Sequence, residues 1–192
     1  MKKLSLLCIA AVSTLLAVHA HAATIGLSPA SPTVGLGDIF AIDVVVTDVV
    51  DLNTYQYSLA YDSTVLGVVA VDLAGAFLTS AGSLLTIAPT LSAGHIDNAS
   101  AALLSNAVVS GSGVLSTITF EAIGPGTSPV TFLTAIQADT ILVNASFATI
   151  PATLQDGSIT VLAVPEPVSA VLVLGALAFL LGLWRHAPTR DE

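Results

Sequence analysis

Apolar and polar side chains alternate with a period of two through the middle of this chain, and this alternation limits the fold more than any other feature. In "DIFAIDVVVTD", residues 38–48, one face carries Phe40, Ile42, Val44 and Val46. Successive side chains of a β-strand point to opposite faces, so the pattern predicts a strand with one face in a core. A helical period is hard to find between residues 23 and 164.

Three further runs repeat the alternation. Their predicted inward residues are Tyr55, Tyr57, Leu59 and Tyr61, then Val114, Ile118 and Phe120, then Ile159 and Val161. Their predicted outward residues are Gln56, Ser58 and Ala60, then Thr117, Thr119 and Glu121. Turn-forming stretches such as "SAGH", "SGSG", "IGPGTSP" and "QDGS" separate the runs. We therefore predict an all-β sandwich of about nine strands in two packed antiparallel sheets. Residues 97–109 fit either a strand or a short helix.

The chain begins with a segment typical of a secretion signal. Lys2 and Lys3 precede an apolar core, and Ala20-His21-Ala22 forms a small-residue cleavage site with Ala20 and Ala22 at its key positions. Residues 1–22 are predicted to be a signal peptide and are excluded from the fold. The single cysteine, Cys8, lies inside it, so the mature chain has no thiol for a disulfide or a metal site.

A second apolar segment lies near the end of the chain. Residues 168–184 carry no charge and are just long enough to span a bilayer as a helix. Trp184 and Arg185 follow the order expected at a cytoplasmic membrane interface. Residues 168–184 are therefore predicted to anchor a precursor in the membrane, with the body between the two segments outside the cytoplasm.

The body is strongly acidic. Ten of the 13 acidic residues of the chain lie between residues 23 and 164, the other three being Glu166, Asp191 and Glu192. This region contains no lysine or arginine. Such a surface repels phosphate backbones, so nucleic acid is excluded as a partner.

The segments at 37–49, 55–73, 111–122 and 155–161 together resemble a cohesin domain. They include "GDIFAIDVVVTDV" and "YQYSLAYDSTVLGVVAVDL", and they occur in the order of that family. The resemblance covers nearly all of residues 23–162. It implies a nine-stranded jelly-roll sandwich, related to carbohydrate-binding modules, with a dockerin-bearing protein as the partner class.

The terminal segment, residues 163–192, resembles the PEP-CTERM sorting signal of exopolysaccharide-producing Gram-negative bacteria. Its motif residues are Val164, Pro165, Glu166 and Pro167, followed by the apolar span and Arg185. Proline lacks an amide hydrogen and favours extended backbone before it, which suits a segment presented to a processing enzyme. The resemblance implies an exosortase as a partner, and delivery to the cell surface or extracellular matrix. The usual cluster of terminal arginines is reduced here, since Asp191 and Glu192 close the chain.

Catalytic groups are scarce in the body. Its sole histidine, His95, lies two residues before Asp97 and is interpreted as a turn residue rather than half of a catalytic dyad. We therefore predict that the protein is not an enzyme.

Two binding chemistries remain open. Asp48, Asp51 and Asn53 offer oxygen ligands in a predicted loop and form a candidate calcium site; no other cofactor is expected. Phe77 is the best candidate for an exposed ring that stacks on sugars, although anchoring a loop suits it better. Asn98 and Asn144 each begin an "NAS" sequon.

The sequence thus predicts an exported, non-enzymatic binding module, and its resemblance to the cohesin family implies a dockerin-type protein as the partner. The alternative is a polysaccharide-binding or structural matrix protein on the same sandwich.

Overall fold

The structure is a computed structural model that describes residues 22–135 and 138–163, together with Leu177. The strands are β1 Ala23–Ser28, β2 Thr33–Gly35, β3 Ile39–Tyr61, β4 Leu66–Asp72, β5 Leu84–Ile87, β6 Thr90–Ser92, β7 His95–Leu103, β8 Val109–Ala122, β9 Gly126–Phe132, β10 Thr134–Ala135, β11 Ala138–Asp139, β12 Ile141–Asn144, β13 Thr149–Ile150, β14 Ala152–Leu154 and β15 Gly157–Leu162. A single helical turn, α1 Ala76–Thr79, follows β4, and a 3₁₀ turn, Leu104–Asn106, follows β7.

The strands form two facing layers that share the long strand β3. In the first sheet, the first half of β3 lies between β1 and β8, and β4 lies outside β8. In the second sheet, the last part of β3 pairs with β7 on one side and with β9 and β12 on the other, while β5 and β6 lie outside β7. The predicted all-β sandwich is confirmed.

Strand β3 crosses from one sheet to the other through β-bulges. Its register with β8 shifts between Val46 and Val49 and again between Val49 and Leu52. Asp48 and Asp51 adopt positive φ there, and their amides donate to the hydroxyls of Ser112 and Ser110 at 3.0 and 2.9 Å. The predicted loop at residues 48–53 is therefore wrong, because these bonds keep the segment within a bent strand.

The connection from β7 to β8 crosses between the sheets at the same end of the sandwich. Residues 97–109, which the sequence left open, are the main part of β7, the 3₁₀ turn and the start of β8. Because the tip between β12 and β13 also lies here, we call residues 48–53, 104–108 and 144–148 the crossover end. The chain leaves the last strand at the opposite end, near Gly35 and Gly126, which pair with Leu162 and Val161.

Most of the predicted inward residues are confirmed as core residues; Phe40 and Tyr61 are half-buried and pack against the core, and Val114 is the exception. Ile42, Val44, Tyr55, Leu59, Ile118, Phe120, Ile159 and Val161 are among the residues of the buried core. Val114 is only half-buried, because a register shift between Val44 and Val45 inserts Leu115 as a bulge that faces the core instead. Ser58, predicted to be outward, is buried beneath Thr140, whose hydroxyl accepts from its amide at 3.4 Å.

Two buried tyrosines connect the layers. The Tyr55 hydroxyl donates to the carbonyls of Leu73 at 2.7 Å and Leu115 at 2.9 Å, which holds the bulge in place. The Tyr57 hydroxyl accepts from Ser116 at 2.8 Å. Burial raises the pKa of both hydroxyls well above the ordinary value of tyrosine, so both remain neutral in the folded domain.

A turn opened by Asp62 follows β3. The Asp62 carboxylate accepts from the amide and the hydroxyl of Thr64 at 2.8 and 2.7 Å, and these bonds lower the pKa of Asp62. Val65 and Leu66 then return into the core at the start of β4.

Within the described ranges, the buried core residues all lie between Ala23 and Val161. The sandwich therefore contains a complete core of its own, as an independently folding domain does. The helical turns in the described ranges, α1 and the 3₁₀ turn, are far too short to cross a bilayer. The predicted span at 168–184 and most of the predicted signal peptide lie outside those ranges, and Ala22 directly precedes β1.

Candidate binding surface

The outer face of the second sheet carries two neighbouring rows of side chains set by strand register. Directly paired residues of a sheet point to the same side, so each row crosses β5, β7, β3 and β12. The first row is Leu85, Ala102, Thr54 and Val143, and the second is Ile87, Ser100, Gln56 and Ile141. We call these eight residues the outer face.

The exposure and polarity of the side chains change in the same way along both rows, from one edge of the sheet to the other. Leu85 and Ile87 are 56% and 59% exposed at one edge, and Ile141 and Val143 are half-buried at the other. Between these flanks lie small or polar side chains, and Ser100 is only 7% exposed. The Gln56 amide donates to the backbone carbonyl of Asp139 at 3.2 Å, so β11 lies against the middle of the second row, and the apolar side chains of the two flanks remain as contacts for a partner.

The outer face contains no charged residue, and its surroundings are acidic. Asp97 lies farther along β7, next to Thr90 of β6, and the domain has no lysine or arginine to offset its carboxylates. Uncharged interface cores with a charged surround favour partners of opposite or neutral charge. The electrostatics thus suit a neutral or basic partner.

His95 and Asp97 lie on the same side of β7 at the exit end of the outer face. His95 is exposed and pairs with Ala60 and Ser92. No hydrogen bond joins its ring to Asp97 within the described ranges, so the pair lacks the contact that orients a general base. His95, interpreted from the sequence as a turn residue, is the first residue of β7 directly after the turn, and its lack of a catalytic role stays a prediction.

The three candidate calcium ligands, Asp48, Asp51 and Asn53, differ in whether their side chains are exposed. Asp48 and Asp51 are exposed at the crossover end. Asn53 is buried, and its amide nitrogen donates to the carbonyls of Leu103 at 3.2 Å and Ala107 at 2.7 Å. Among the residues that the structure describes, no group of three acidic, histidine or cysteine side chains is placed to hold a metal ion. Asn53 has a structural role, and a calcium site at these residues stays a prediction.

The sorting and cleavage residues lie almost entirely beyond the described ranges. Val164, Pro165, Glu166, Pro167, Arg185 and Ala20 all fall there, while Ala22 is exposed just before β1. Their predicted roles therefore stay predictions.

The exposed ring is a different phenylalanine from the one that the sequence favours. Phe77 is half-buried and lies over Gly113, where an added Cβ would be 2.7 Å from the Phe77 side chain. Phe77 thus anchors the α1 turn, as the sequence analysis preferred. Phe147 is 87% exposed at the tip between β12 and β13. The signal for it was the asparagine of "NASFA", which favours a tight turn and so projects a nearby side chain.

A two-layer β-sandwich with uncharged, partly apolar side chains exposed on one sheet is suited to binding another protein. Comparison with known families agrees, because the family model of the cohesin domain matches residues 25–161. The chain therefore belongs to the cohesin family, whose domains are non-catalytic protein–protein interaction modules. The prediction that the protein is not an enzyme is confirmed by this membership.

Solved structures with the same fold include cohesins from an archaeon and from bacteria. A non-cellulosomal cohesin from Archaeoglobus fulgidus is 15% identical, with a TM-score of 0.58, covering 78% of this chain and 96% of its own. A type II cohesin domain from the cellulosome of Acetivibrio cellulolyticus is 21% identical, with a TM-score of 0.62, covering 71% and 94%. A type I cohesin–dockerin complex from Clostridium thermocellum matches at 18% identity and a TM-score of 0.57, covering 73% and 99%. The search of curated proteins found no match.

Proposed function

We propose that this protein is an exported cohesin that binds a dockerin-type protein on the outer face of its second sheet. The main support for this proposal is the pair of rows of the outer face, with Leu85 and Ile87 on one flank and Ile141 and Val143 on the other. Exposed apolar residues of this kind gain free energy when a partner removes them from water, at roughly 25 cal/mol per Å². The family to which the chain belongs supports a protein as the partner.

The acidic surround adds a preference within this partner class. A basic patch beside the apolar contact would be attracted to the domain, and the attraction would weaken as salt increases. Apolar anchors supply most of the affinity, and the charges speed the encounter and set orientation.

Capture of the natural partner tests this function. Residues 23–163 are immobilised and exposed to the secreted proteins of the producing organism, with calcium and then with a chelator. We expect a calcium-dependent catch that contains dockerin-like repeats, identified by mass spectrometry. A column of folded domain that retains no such protein would contradict the proposal and favour the matrix or polysaccharide-binding alternative.

We further propose that the terminal segments export the chain and that an exosortase processes residues 163–192. The support is the combination of a secretion signal, the Val164 to Pro167 motif, the uncharged span and Arg185. Because the described sandwich ends at the exit end with Ala163, the motif follows the domain directly.

Processing is tested with a C-terminal epitope tag in paired strains with and without an exosortase. We expect the tag to be lost only in the strain with the enzyme, and Glu166→Ala to retain it. Glu192→Ala, which removes the same charge outside the motif, should be processed normally. Equal retention of the tag in both strains would overturn this part of the proposal.

A further inference from the structure

Phe147 projects alone from the crossover end of the domain. It is 87% exposed, the highest value among the large apolar residues that the structure describes. A phenylalanine in water forgoes the free energy of burying its ring, and such a ring is a common anchor in binding sites. Phe147 lies at the crossover end, whereas the eight residues of the outer face lie on the side of the second sheet.

The backbone beneath the ring is held in place. Phe147 has φ of 61°, a region that a bulky L-residue adopts at a cost. Asn144 fixes the tip, because its side-chain oxygen accepts from the amides of Ser146 and Ala148, each at 2.9 Å, and its carbonyl accepts from Phe147 at 3.0 Å. The ring is thus presented on a preorganised support, which lowers the entropy cost of binding.

The neighbouring loops supply polar groups and smaller apolar contacts. The tip lies beside the crossover of β3, because Asn144 pairs with Leu52, which itself pairs with Val109 at the end of the 104–108 loop. Ser105 and Asn106 of that loop are exposed, as is Asp51. Val50 and Leu104, 64% and 47% exposed, add apolar surface. The crossover end therefore combines one flat ring with hydroxyl, amide and carboxylate groups.

The negative charge of the crossover end restricts the chemical class of ligand that it can bind. Asp48 and Asp51 are exposed at this end, and the domain has no lysine or arginine. Phosphorylated, sulfated and uronic-acid ligands would be repelled. A neutral sugar presents an apolar C–H face to a ring and hydroxyl groups to carboxylate and amide partners, which matches the groups at this end.

Geometry also leaves this end accessible. The segment from residue 164 onward starts at the exit end, the pole opposite Phe147, and residues 1–22, which precede β1 at the crossover end, are predicted to be removed as a signal peptide. From these observations we propose that the crossover end is a second binding site, for a neutral glycan that stacks on Phe147. The site is separate from the outer face and does not depend on the protein partner.

The test uses residues 23–192, the chain without the predicted signal peptide, in a zwitterionic detergent, since sugar-headed detergents would compete. Binding is measured on cellulose, mannan and neutral galactan, with anionic alginate for comparison. We expect retention on at least one neutral polysaccharide, weak binding to alginate, and a loss of at least about tenfold in affinity for Phe147→Asn. Asparagine tolerates positive φ, so this variant should fold at least as stably as the wild type. Phe147→Trp should keep or strengthen binding.

Two controls separate this site from the others. Ile123→Asn removes an apolar side chain that is 49% exposed at the exit end and should bind glycan as the wild type does. Phe147→Asn should still capture the protein partner on the outer face. Absence of retention on all three neutral polysaccharides, or equal retention by Phe147→Asn, overturns the proposal. Retention on alginate alone overturns it too, because it contradicts the charge argument.

Discussion

Phe120→Ala is expected to lower the free energy of unfolding by about 3 to 5 kcal/mol, the range for removing a fully buried aromatic ring. Phe120 is 0% exposed in the middle of β8. Its ring stacks on Phe40 with centroids 6.1 Å apart and meets Tyr61 edge to face at 5.6 Å. The substitution removes both contacts and leaves a cavity that the two surrounding sheets fill only in part.

Urea unfolding of residues 23–163, followed by circular dichroism, measures this effect. The matched control is Val69→Ala on the edge strand β4, since Val69 is 52% exposed and its truncation should change stability by less than about 0.5 kcal/mol. A loss below 1 kcal/mol for Phe120→Ala would mean that the ring is not packed as the structure places it.

Leu85→Asp combined with Ile87→Asp is expected to weaken binding of the protein partner at least about a hundredfold. Both side chains lie on one flank of the outer face and are more than half exposed, so the change should leave folding intact. In the complex each carboxylate would be buried among apolar groups without a partner, which costs free energy that the free domain does not lose.

The comparison variant is Ile39→Asp combined with Val69→Asp, which places the same two charges at exposed apolar positions of the first sheet. It should bind within about twofold of the wild type. If both double variants lose affinity equally, long-range charge repulsion explains the loss, and the outer face is not the contact surface. Glycan retention should be unaffected in either variant.

Strand alternation predicted the inward faces of β3, β8 and β15 because each face repeats over several residues and the core demands apolar side chains. The exception at Val114 shows the limit of this signal. Leu115 replaces it through a bulge, and the bulge is held by a hydrogen bond from Tyr55, which lies 60 positions earlier in the chain. A local pattern carries no information about such a distant contact.

The two binding surfaces could not be predicted from the sequence, because they too depend on contacts between residues that are distant in the chain. Leu85 and Ile87 are recognisable as part of a binding surface only once the strand register is known. The register places Ala102 and Ser100 beside them, and Val143 and Ile141 at the far edge. Asp48, Asp51 and Asn53 look alike in sequence, yet the Asn53 side chain is buried while the two carboxylates remain exposed. Phe77 and Phe147 differ in exposure because the fold packs the Phe77 side chain against Gly113 and leaves the Phe147 ring in solvent.

The path of the chain through the domain has a mechanical consequence. Strand β1 begins at the crossover end and runs parallel to β14, while β15 runs parallel to β2 and finishes at the exit end. A pull between Ala23 and Leu162 therefore acts along these parallel pairs, so that the strands must slide past one another. Their hydrogen bonds share the load and must break together, rather than open one after another from an end. The domain is thus built to transmit tension between whatever its two ends are joined to.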